Sequence, residues 1–456
     1  MSVTVQATFD LARRFKDDGK FERARDLLEI CLSEKPKLAP VWDQYGRVLY
    51  FQKQFHASSL AFQKALALES TPKTHAALAE ALARLRRYEE AIHHRKIVLE
   101  KDPGNIDILR SQARDMRNAR RNRDAIALVD DFEKSKGPNP HLRLQRALAY
   151  LMLGDYERGF ADYESRFAAE NLDWPGIRSP RWNGEDLAGK SLLVVPEQGF
   201  GDAILTARFL PELKARGAHV SMYAKQPLQR LFSELEGLDK IIKSESPGTR
   251  FDYYAPIFSL PYFLKLEAGQ QPPPARMHVP RDSRDRARKL TAPFRDDFRI
   301  GIVWTGTDKL GFNAARRIEL PEFGRLAAIP GVQLFSLYKG PDIGQLDEHG
   351  MRGIVVDACS TDQDFADTAG IIGEMDLLVT CDTGVVHVAA SLGKPVWNLM
   401  PTESFWFYGF DDMTPWYPSM KIYRQAETGM WAPVFAAIER DLLPLVEQKR
   451  QHAAAG

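Results

Sequence analysis

The first third of the chain, residues 5–168, repeats with a period near 34 residues. Each copy is anchored on a small residue, and the anchors are Ala12, Gly46, Ala79, Ala113 and Ala147. A second small residue follows each anchor at a constant distance, and these are Ala24, Ser58, Ala91, Ala125 and Gly159. Small residues at fixed positions allow two helices to cross closely, and large apolar residues between them fill the core. The repeat therefore predicts a row of helical hairpins, some of them closed by Pro36 and Pro103.

The period and the spacing of the anchors resemble those of the tetratricopeptide repeat. A solenoid of that kind offers a concave groove to a peptide or a protein. We therefore predict that residues 1–168 form an all-α solenoid that docks a protein partner. An array that only supports the rest of the chain, or that mediates self-association, is the alternative.

The rest of the chain alternates strand-like and helical segments. A linker rich in Pro, Gly and Trp is predicted over 169–190, followed by one α/β domain over 191–292 and a second over 293–456. The predicted strands lie at 192–196, 219–223, 240–243 and 253–257, and then at 299–304, 332–338, 353–356, 376–380 and 395–400. Such alternation predicts parallel sheets covered by helices, in two Rossmann-like domains. Small charged ligands bind at the carboxyl edges of such sheets.

A glycine turn, Glu-Gln-Gly-Phe-Gly-Asp at 197–202, follows the first of these strands and opens a helical segment predicted over 203–216. This layout brings backbone N–H groups and the Asp202 side chain to the edge of the sheet. Asp202 is either a charge at a helix N-terminus or a catalytic base. Turn chemistry alone favours the first interpretation.

A second candidate site follows the predicted strand 376–380. Thr383 and the free N–H groups of the next helix could hold a phosphate, and Asp382 could accept hydrogen bonds from sugar hydroxyls. His387 lies on the first turns of that helix. The alternative is a helix cap beside a histidine that belongs to the core.

Three other motifs are discounted. Residues 184–191 match the phosphate-loop pattern, but a linker precedes them and a strand follows, whereas a true phosphate loop lies between a strand and a helix. Asp362 and Asp364 resemble a metal-binding acidic pair, but they precede a helix predicted over 365–373, with Ser360 and Thr361 as further cap candidates. The turn at 199–201 lacks the third glycine of a dinucleotide fingerprint.

The composition of the chain restricts the class of protein and the compartment in which it functions. A net charge of +1 argues against a nucleic-acid binder. Three widely spaced cysteines form neither a disulfide framework nor a zinc site, which favours a reducing compartment. The first residues lack the apolar core of a signal peptide, and no segment approaches the ~20 apolar residues of a membrane span. We therefore expect a cytoplasmic protein without a transmembrane segment.

Taken together, the repeats and the segments at 197–202, 382–387, 393–397 and 415–419 resemble glycosyltransferases of the heptosyltransferase type fused to repeats. That group includes bacterial flagellin glycosyltransferases, and its catalytic part has the two-domain GT-B fold. The resemblance implies an inverting glycosyltransferase that needs no metal or other cofactor. It would move a sugar from a nucleotide sugar to a protein hydroxyl, with flagellin as the first acceptor to test. An enzyme acting on lipopolysaccharide or another glycan, and a non-catalytic scaffold, are the alternatives.

The same resemblance implies roles for individual residues. Asp202 matches the proposed base, and the turn around it contains Gln198, Gly199 and Gly201. Residues at the donor site match Asp382, Thr383, Gly384 and His387. Basic residues that contact the donor phosphate are sought among Lys309, Arg316 and Arg317, of which Arg317 fits the pattern best.

The chain departs from the family pattern after the strand predicted over 395–400. Relatives carry Trp-Arg-Trp there, whereas residues 404–408 read Ser-Phe-Trp-Phe-Tyr, without an arginine. One plausible contact to the donor is therefore missing. The aromatic residues could form a wall for a sugar or a base, or belong to the core, and the sequence leaves both open.

Overall fold

The computed structural model describes residues 3–174, 176–197, 199–244, 248–306 and 316–455. Contacts within the chain divide it into two compact units. The first unit comprises Met1–Leu153 and Ala161–Leu172, and the second comprises Gly154–Phe160 and Asp173–Gly456. The predicted domain limits at residues 168, 190 and 292 stay predictions.

The first unit is built from successive helices joined by short turns. Its main helices are α1 (Val3–Asp17), α2 (Phe21–Glu34), α3 (Ala39–Phe51), α4 (Phe55–Leu68), α5 (Pro72–Arg84), α6 (Tyr88–Lys101), α7 (Ile106–Asn118), α8 (Asn122–Lys136) and α9 (Pro140–Met152). Two shorter helices, α10 (Tyr156–Tyr163) and α11 (Arg166–Ala169), follow them along the chain. Consecutive main helices pack against each other, so the predicted helical hairpins are confirmed.

The small anchor residues lie where two helices of the array touch. Ala12 and Ala79 are completely buried. A Cβ atom at Gly46 would stand 2.7 Å from Cε1 of Phe62, which is closer than real contacts allow. The hydroxyl of Ser58 in α4 donates a hydrogen bond of 2.7 Å to the Gly46 carbonyl oxygen in α3. At this pair of helices a small residue is therefore needed, because a larger side chain would collide with the facing helix.

Polar caps and prolines fix where several of these helices begin and end. The side chains of Thr71 and Asn105 each accept a 3.2 Å hydrogen bond from the backbone N–H three residues further on, at the starts of α5 and α7. Pro36 and Pro103 lie in the turns that follow α2 and α6, as the sequence predicts.

The second unit begins with a parallel sheet of four strands. They are β1 (Ser191–Val195), β2 (His219–Tyr223), β3 (Lys240–Ile242) and β4 (Tyr253–Pro256), in the order β3-β2-β1-β4. Leu192 on β1 lies opposite Val220 on one side and Tyr253 on the other. The apolar run of β1 is buried because neighbours cover it on both sides.

The helical segment predicted over 203–216 starts earlier than expected and is broken into three pieces. The pieces are α12 (Phe200–Thr206), a 3₁₀ turn (Ala207–Phe209) and α13 (Leu210–Ala215). Pro211 has no N–H to continue an α-helical ladder, so a new helix starts around it. Two further helices, α14 (Leu260–Phe263) and α15 (Arg281–Thr291), precede the second sheet.

The second sheet has seven strands within the described ranges. They are β5 (Phe298–Val303), β6 (Val332–Ser336), β7 (Val355–Asp357), β8 (Leu377–Cys381), β9 (Val396–Met400), β10 (Met413–Thr414) and β11 (Tyr417–Arg424), in the order β10-β11-β9-β8-β5-β6-β7. Each neighbouring pair is parallel except β10 with β11. The helices of this part are α16 (Gly324–Ala327), α17 (Gln345–Glu348), α18 (Phe365–Glu374), α19 (Gly384–Ser391) and α20 (Ala432–Ala455).

Parallel strands joined through helices define Rossmann-like halves. An all-α repeat array followed by two such halves confirms the predicted fold class. The turn that contains Asp202 follows β1, and the segment that begins with Asp382 follows β8, so both leave their sheets at carboxyl edges. Among the helices that the structure describes, none is both long enough and apolar enough to cross a membrane.

Candidate active site

The turn after β1 fixes the carboxylate of Asp202. Its Oδ2 accepts a 2.8 Å hydrogen bond from the backbone N–H of Gly199, across the start of α12. Glu197, in the same turn, accepts a 2.9 Å hydrogen bond from the N–H of Phe258 through Oε1, which ties the turn to the segment after β4. Gln198 lies outside the described residues. Asp202 thus caps its helix and is also held in one place by the turn.

The surroundings of Asp202 favour its protonated form. Burial raises the pKa of this carboxyl to about 6, the hydrogen bond from Gly199 opposes that rise, and the negative charge of Asp382 adds to it. A carboxyl that titrates near 6 is an effective proton acceptor at neutral pH. Asp202 therefore has the chemical character that a general base requires.

Asp382 is buried directly after β8. Its Oδ1 accepts a 2.7 Å hydrogen bond from the hydroxyl of Tyr408, and its backbone oxygen accepts one of 2.7 Å from Nη1 of Arg316. Burial raises the pKa of the Asp382 carboxyl, while Tyr408 and Arg316 oppose the rise. One carboxylate oxygen of Asp382 is therefore already engaged in a hydrogen bond within the protein.

The turn that starts α19 faces the turn that contains Asp202. A Cβ atom at Gly384 would stand 3.8 Å from the backbone nitrogen of Gly201. Thr383 occupies the N-cap position of α19 without capping it, and its Oγ1 is buried with no hydrogen-bond partner among the described residues. An unused hydroxyl beside the N-terminus of a helix suits an anionic oxygen of a ligand.

His387 packs directly on the turn that contains Asp202. A Cβ atom at Gly201 would stand 2.5 Å from its Cδ2 atom and 3.0 Å from its Nε2 atom, so only glycine fits without a shift. Its Nδ1 atom lies 3.2 Å from the Tyr417 hydroxyl. Burial lowers the pKa of His387 to about 3, and the charge of Arg208 adds to this effect, so the ring is neutral at physiological pH.

The basic residues predicted at the donor phosphate occupy different surroundings. Lys309 lies outside the described residues. The half-exposed side chain of Arg317 lies 3.8 Å from Glu319 and 4.0 Å from Asp342, while Arg316 contacts the backbone of Asp382. The structure therefore brings Arg316 next to the other candidate residues, and the assignment of Arg317 to the phosphate stays a prediction.

The aromatic run after β9 is mostly buried. Trp406, Phe407 and Tyr408 belong to the core, whereas Phe405 is 47% exposed and stacks on Phe407 with 5.8 Å between ring centres. Arg424 on β11 holds this loop through hydrogen bonds to the carbonyl oxygens of residues 401, 403 and 409. An arginine thus reaches the loop from the neighbouring strand, although the loop itself contains none.

Two of the discounted motifs have structural roles. Residues 184–191 run through turns into β1, as predicted for a loop that precedes a strand. Asp364 caps α18 by accepting a 2.9 Å hydrogen bond from the N–H of Ala366, which confirms the capping prediction for this residue. Asp362 instead pairs with Arg286 at 2.5 Å.

Ser360 and Thr361, the other cap candidates, do not cap α18. The hydroxyl of Ser360 donates to Asp357, and that of Thr361 accepts from Arg286. Asp364 stands immediately before the first residue of the helix and so occupies the N-cap position that they would need.

Sequence reasoning missed several residues around this site. Tyr408 contacts Asp382 from 26 positions away along the chain, and Tyr417 contacts His387 from 30 positions away. Arg208 acts electrostatically on His387 from 179 positions away. Tyr417 lies within the segment 415–419 that carries part of the resemblance, which was the available signal. Arg208 and Tyr408 had no such signal, because their contacts arise only when the second unit folds.

Comparison with known proteins finds a relative that is similar over almost the whole chain. Protein FlbA of Caulobacter vibrioides is 25% identical over 473 aligned positions, which cover 95% of this chain and 72% of that protein. No model of a known protein family matches the chain.

Solved structures match the two parts separately. The glycosyl transferase family 9 structure from Veillonella parvula covers 59% of this chain and 100% of its own, with 15% identity and a TM-score of 0.45. The structure of YrrB, described as a TPR protein with an unusual peptide-binding site, covers 36% of this chain and 85% of its own, with 13% identity and a TM-score of 0.33. The sequence predicted an all-α repeat array followed by an α/β part, and the elements of the structure follow that order.

Proposed function

We propose that this protein is an inverting, metal-independent glycosyltransferase that moves a sugar from a nucleotide sugar to a hydroxyl of a protein. The observation that carries the proposal is Asp202, a carboxylate that a turn holds at a sheet edge and whose pKa is raised to about 6. Such a group accepts the proton of the acceptor hydroxyl as the hydroxyl attacks the anomeric carbon. Attack opposite the departing phosphate inverts that carbon.

The donor side of the proposal rests on the start of α19. The N–H groups of a helix N-terminus stabilise the negative charge that the leaving nucleotide develops. Thr383 adds a buried hydroxyl that has no partner among the described residues, and Arg316 adds a positive charge beside Asp382. These groups provide charge stabilisation from the protein itself, which is why we propose no metal.

Thermal shift of the full-length protein against CMP, UDP, GDP and ADP, each with and without EDTA, tests the donor site. A nucleotide at 100 times its dissociation constant stabilises the state that binds it by about 2.7 kcal/mol, which raises the melting temperature by several degrees. We expect a shift with one base that EDTA leaves unchanged. Thr383→Val should reduce that shift, whereas Thr8→Val, at an exposed hydroxyl of α1, should not.

Each other outcome of that experiment has a defined meaning. A shift that EDTA abolishes would contradict metal independence. The absence of a shift with all four nucleotides would contradict the donor site and favour a non-catalytic scaffold. Transfer to a glycan in place of a protein would keep the chemistry and overturn the acceptor, and retention of the anomeric configuration in the product would overturn inversion.

We further propose that the repeats dock the protein acceptor, with flagellin as the first candidate to test. Aromatic side chains at the surface of the array support this, because aromatic residues often dominate protein interfaces. Phe51 in α3 is 54% exposed and stacks on Phe21 with 5.1 Å between ring centres.

Phe51→Ser is therefore expected to raise KM for the protein acceptor about 10-fold, equivalent to about 1.4 kcal/mol. It should leave kcat unchanged, as well as KM for a short acceptor peptide. Leu443→Ser in α20 is the matched control, since Leu443 is equally exposed at 53% but lies outside the array. Equal effects of both variants, or no effect of Phe51→Ser, would contradict docking at this face of the repeats.

A further inference from the structure

A buried cation lies behind His387. Arg208, in the 3₁₀ turn after α12, is only 2% exposed. Its Nε donates to the carbonyl oxygen of Leu205 over 2.8 Å and its Nη1 to that of Pro272 over 3.1 Å, and the guanidinium also faces the hydroxyl of Tyr417. Burying a charge is costly unless the protein compensates for it.

Two aromatic rings flank the guanidinium. Its central carbon lies 5.2 Å from the centre of the Trp416 ring and 4.8 Å from that of Tyr417. The electron-rich faces of such rings attract a cation. The indole of Trp416 is fixed in turn, because its Nε1 donates a 3.0 Å hydrogen bond to the hydroxyl of Tyr156, which is also buried. Arg208 is thus held next to Tyr417.

The charge of Arg208 orients the hydroxyl of Tyr417. This charge works against burial, which raises the pKa of Tyr417. A nearby cation attracts the lone pairs of the phenol oxygen and repels its hydrogen. Arg208 and the hydroxyl of Ser391 both lower the pKa of Tyr417, so both direct positive charge at its phenol oxygen. The hydrogen therefore points away from these two groups, toward Nδ1 of His387, which lies 3.2 Å from the phenol oxygen. Nδ1 is then the acceptor of this hydrogen bond.

We infer that Arg208 and Tyr417 fix His387 as the neutral tautomer that carries its proton on Nε2, with this N–H facing the turn that contains Asp202. A neutral imidazole has one N–H, and Nδ1 is already used as an acceptor. Nε2 lies 3.0 Å from the position of a Cβ atom at Gly201, and it has no hydrogen-bond partner in the described part of the chain. Arg208 and Tyr417 are positioning residues in this arrangement.

The inference rests on the proposed function for its purpose. Beside Asp202, an uncharged N–H would donate a hydrogen bond to an oxygen of the bound nucleotide sugar. A ring whose pKa is lowered to about 3 does not take up the proton of the acceptor hydroxyl, whereas Asp202 does. His387 would thus act as a hydrogen-bond donor and the neighbouring Asp202 as a base.

The tautomer can be read directly from the full-length protein without any substrate. Histidine labelled with ¹⁵N gives two-bond ¹H–¹⁵N correlations that distinguish a protonated ring nitrogen from an unprotonated one. The chain has ten histidines, and loss of one pattern in His387→Gln assigns the signals of His387. We expect a protonated Nε2 and an unprotonated Nδ1 at neutral pH. A proton on Nδ1, or on both nitrogens, would overturn the inference.

Variants test what sets the tautomer. Tyr417→Phe removes the hydroxyl, and Arg208→Gln removes the charge should the first variant fail to fold. Each is expected to shift the nitrogen signals toward a mixture of tautomers and to lower kcat about 10-fold. Tyr423→Phe, on the same strand as Tyr417 but hydrogen-bonded to Asp441, should leave the tautomer unchanged. An Nε2–H tautomer that persists in Tyr417→Phe and in Arg208→Gln would show that these residues do not set it. Because the spectra need no substrate, this result stands apart from any failure of the transferase assay.

Discussion

Asp202→Asn is expected to lower the rate of sugar transfer by a factor of about 10² to 10⁴, the usual contribution of a general base. The amide oxygen of asparagine can still accept the hydrogen bond from the N–H of Gly199, so the turn keeps its geometry. Nucleotide binding should therefore be unchanged. Initial rates and thermal shifts with the same nucleotide separate the two effects.

The same substitution is expected to stabilise the fold above about pH 6. The unfolded chain releases the proton of this carboxyl near its ordinary pKa of 3.8, whereas the folded chain holds it up to about 6. Between these values the folded state binds more protons, so the free energy of unfolding falls as the pH rises. Because Asp202 is only partly shielded from solvent, which screens its charge, we expect a gain of about 1 to 2 kcal/mol in Asp202→Asn near pH 8 and none below about pH 4.

Asp252→Asn is the matched control for both effects. Asp252 accepts hydrogen bonds from the N–H and the hydroxyl of Ser191, which lower its pKa. Its substitution should leave transfer unchanged and should not raise the melting temperature at high pH. Unchanged turnover in Asp202→Asn would exclude this residue as the base. A native rate that stays flat as the pH falls through 6 would contradict the raised pKa.

Local patterns explain why much of the fold was predictable. The apolar run of β1 ends in a glycine turn, and the small anchors of the repeats recur at a nearly constant spacing. Strand β11 escaped prediction because Pro418 interrupts its apolar pattern, and proline within a strand-like run argues against a strand. Its parallel pairing with β9 compensates for this, and no single-sequence pattern reports that pairing.

The candidate site was predictable only where its residues follow a strand directly. Asp202 and Asp382 could be identified because each stands just beyond the carboxyl end of a buried strand. The hydrogen bond from Tyr408 to Asp382 and the packing of Arg208 against Trp416 join residues far apart in sequence. Such contacts depend on how loops cross the sheet edge, which hydrophobic periodicity does not encode.

Gly201→Ala is expected to lower transfer about 100-fold although it adds a single methyl group. The new Cβ would stand 2.5 Å from Cδ2 of His387. The imidazole has little freedom to retreat, because Tyr417 bonds its Nδ1 atom and Phe407 lies against it with 5.6 Å between ring centres. The turn must therefore move, and a displacement of about 1 Å at a reacting group can cost about 10²-fold. Gly373→Ala is the control, since among the described residues no atom beyond the adjoining backbone of its own helix lies within 4 Å of the new Cβ.

A double variant separates this steric cause from a general loss of stability. His387→Ala removes the ring that the methyl group would strike, so Gly201→Ala should cost little when it is added to His387→Ala. The two substitutions should thus be strongly non-additive, as expected for residues in direct contact. Transfer rates of the native protein, both single variants and the double variant complete the cycle. Simple additivity would mean that alanine at position 201 lowers transfer without touching His387, and the steric explanation would then be wrong.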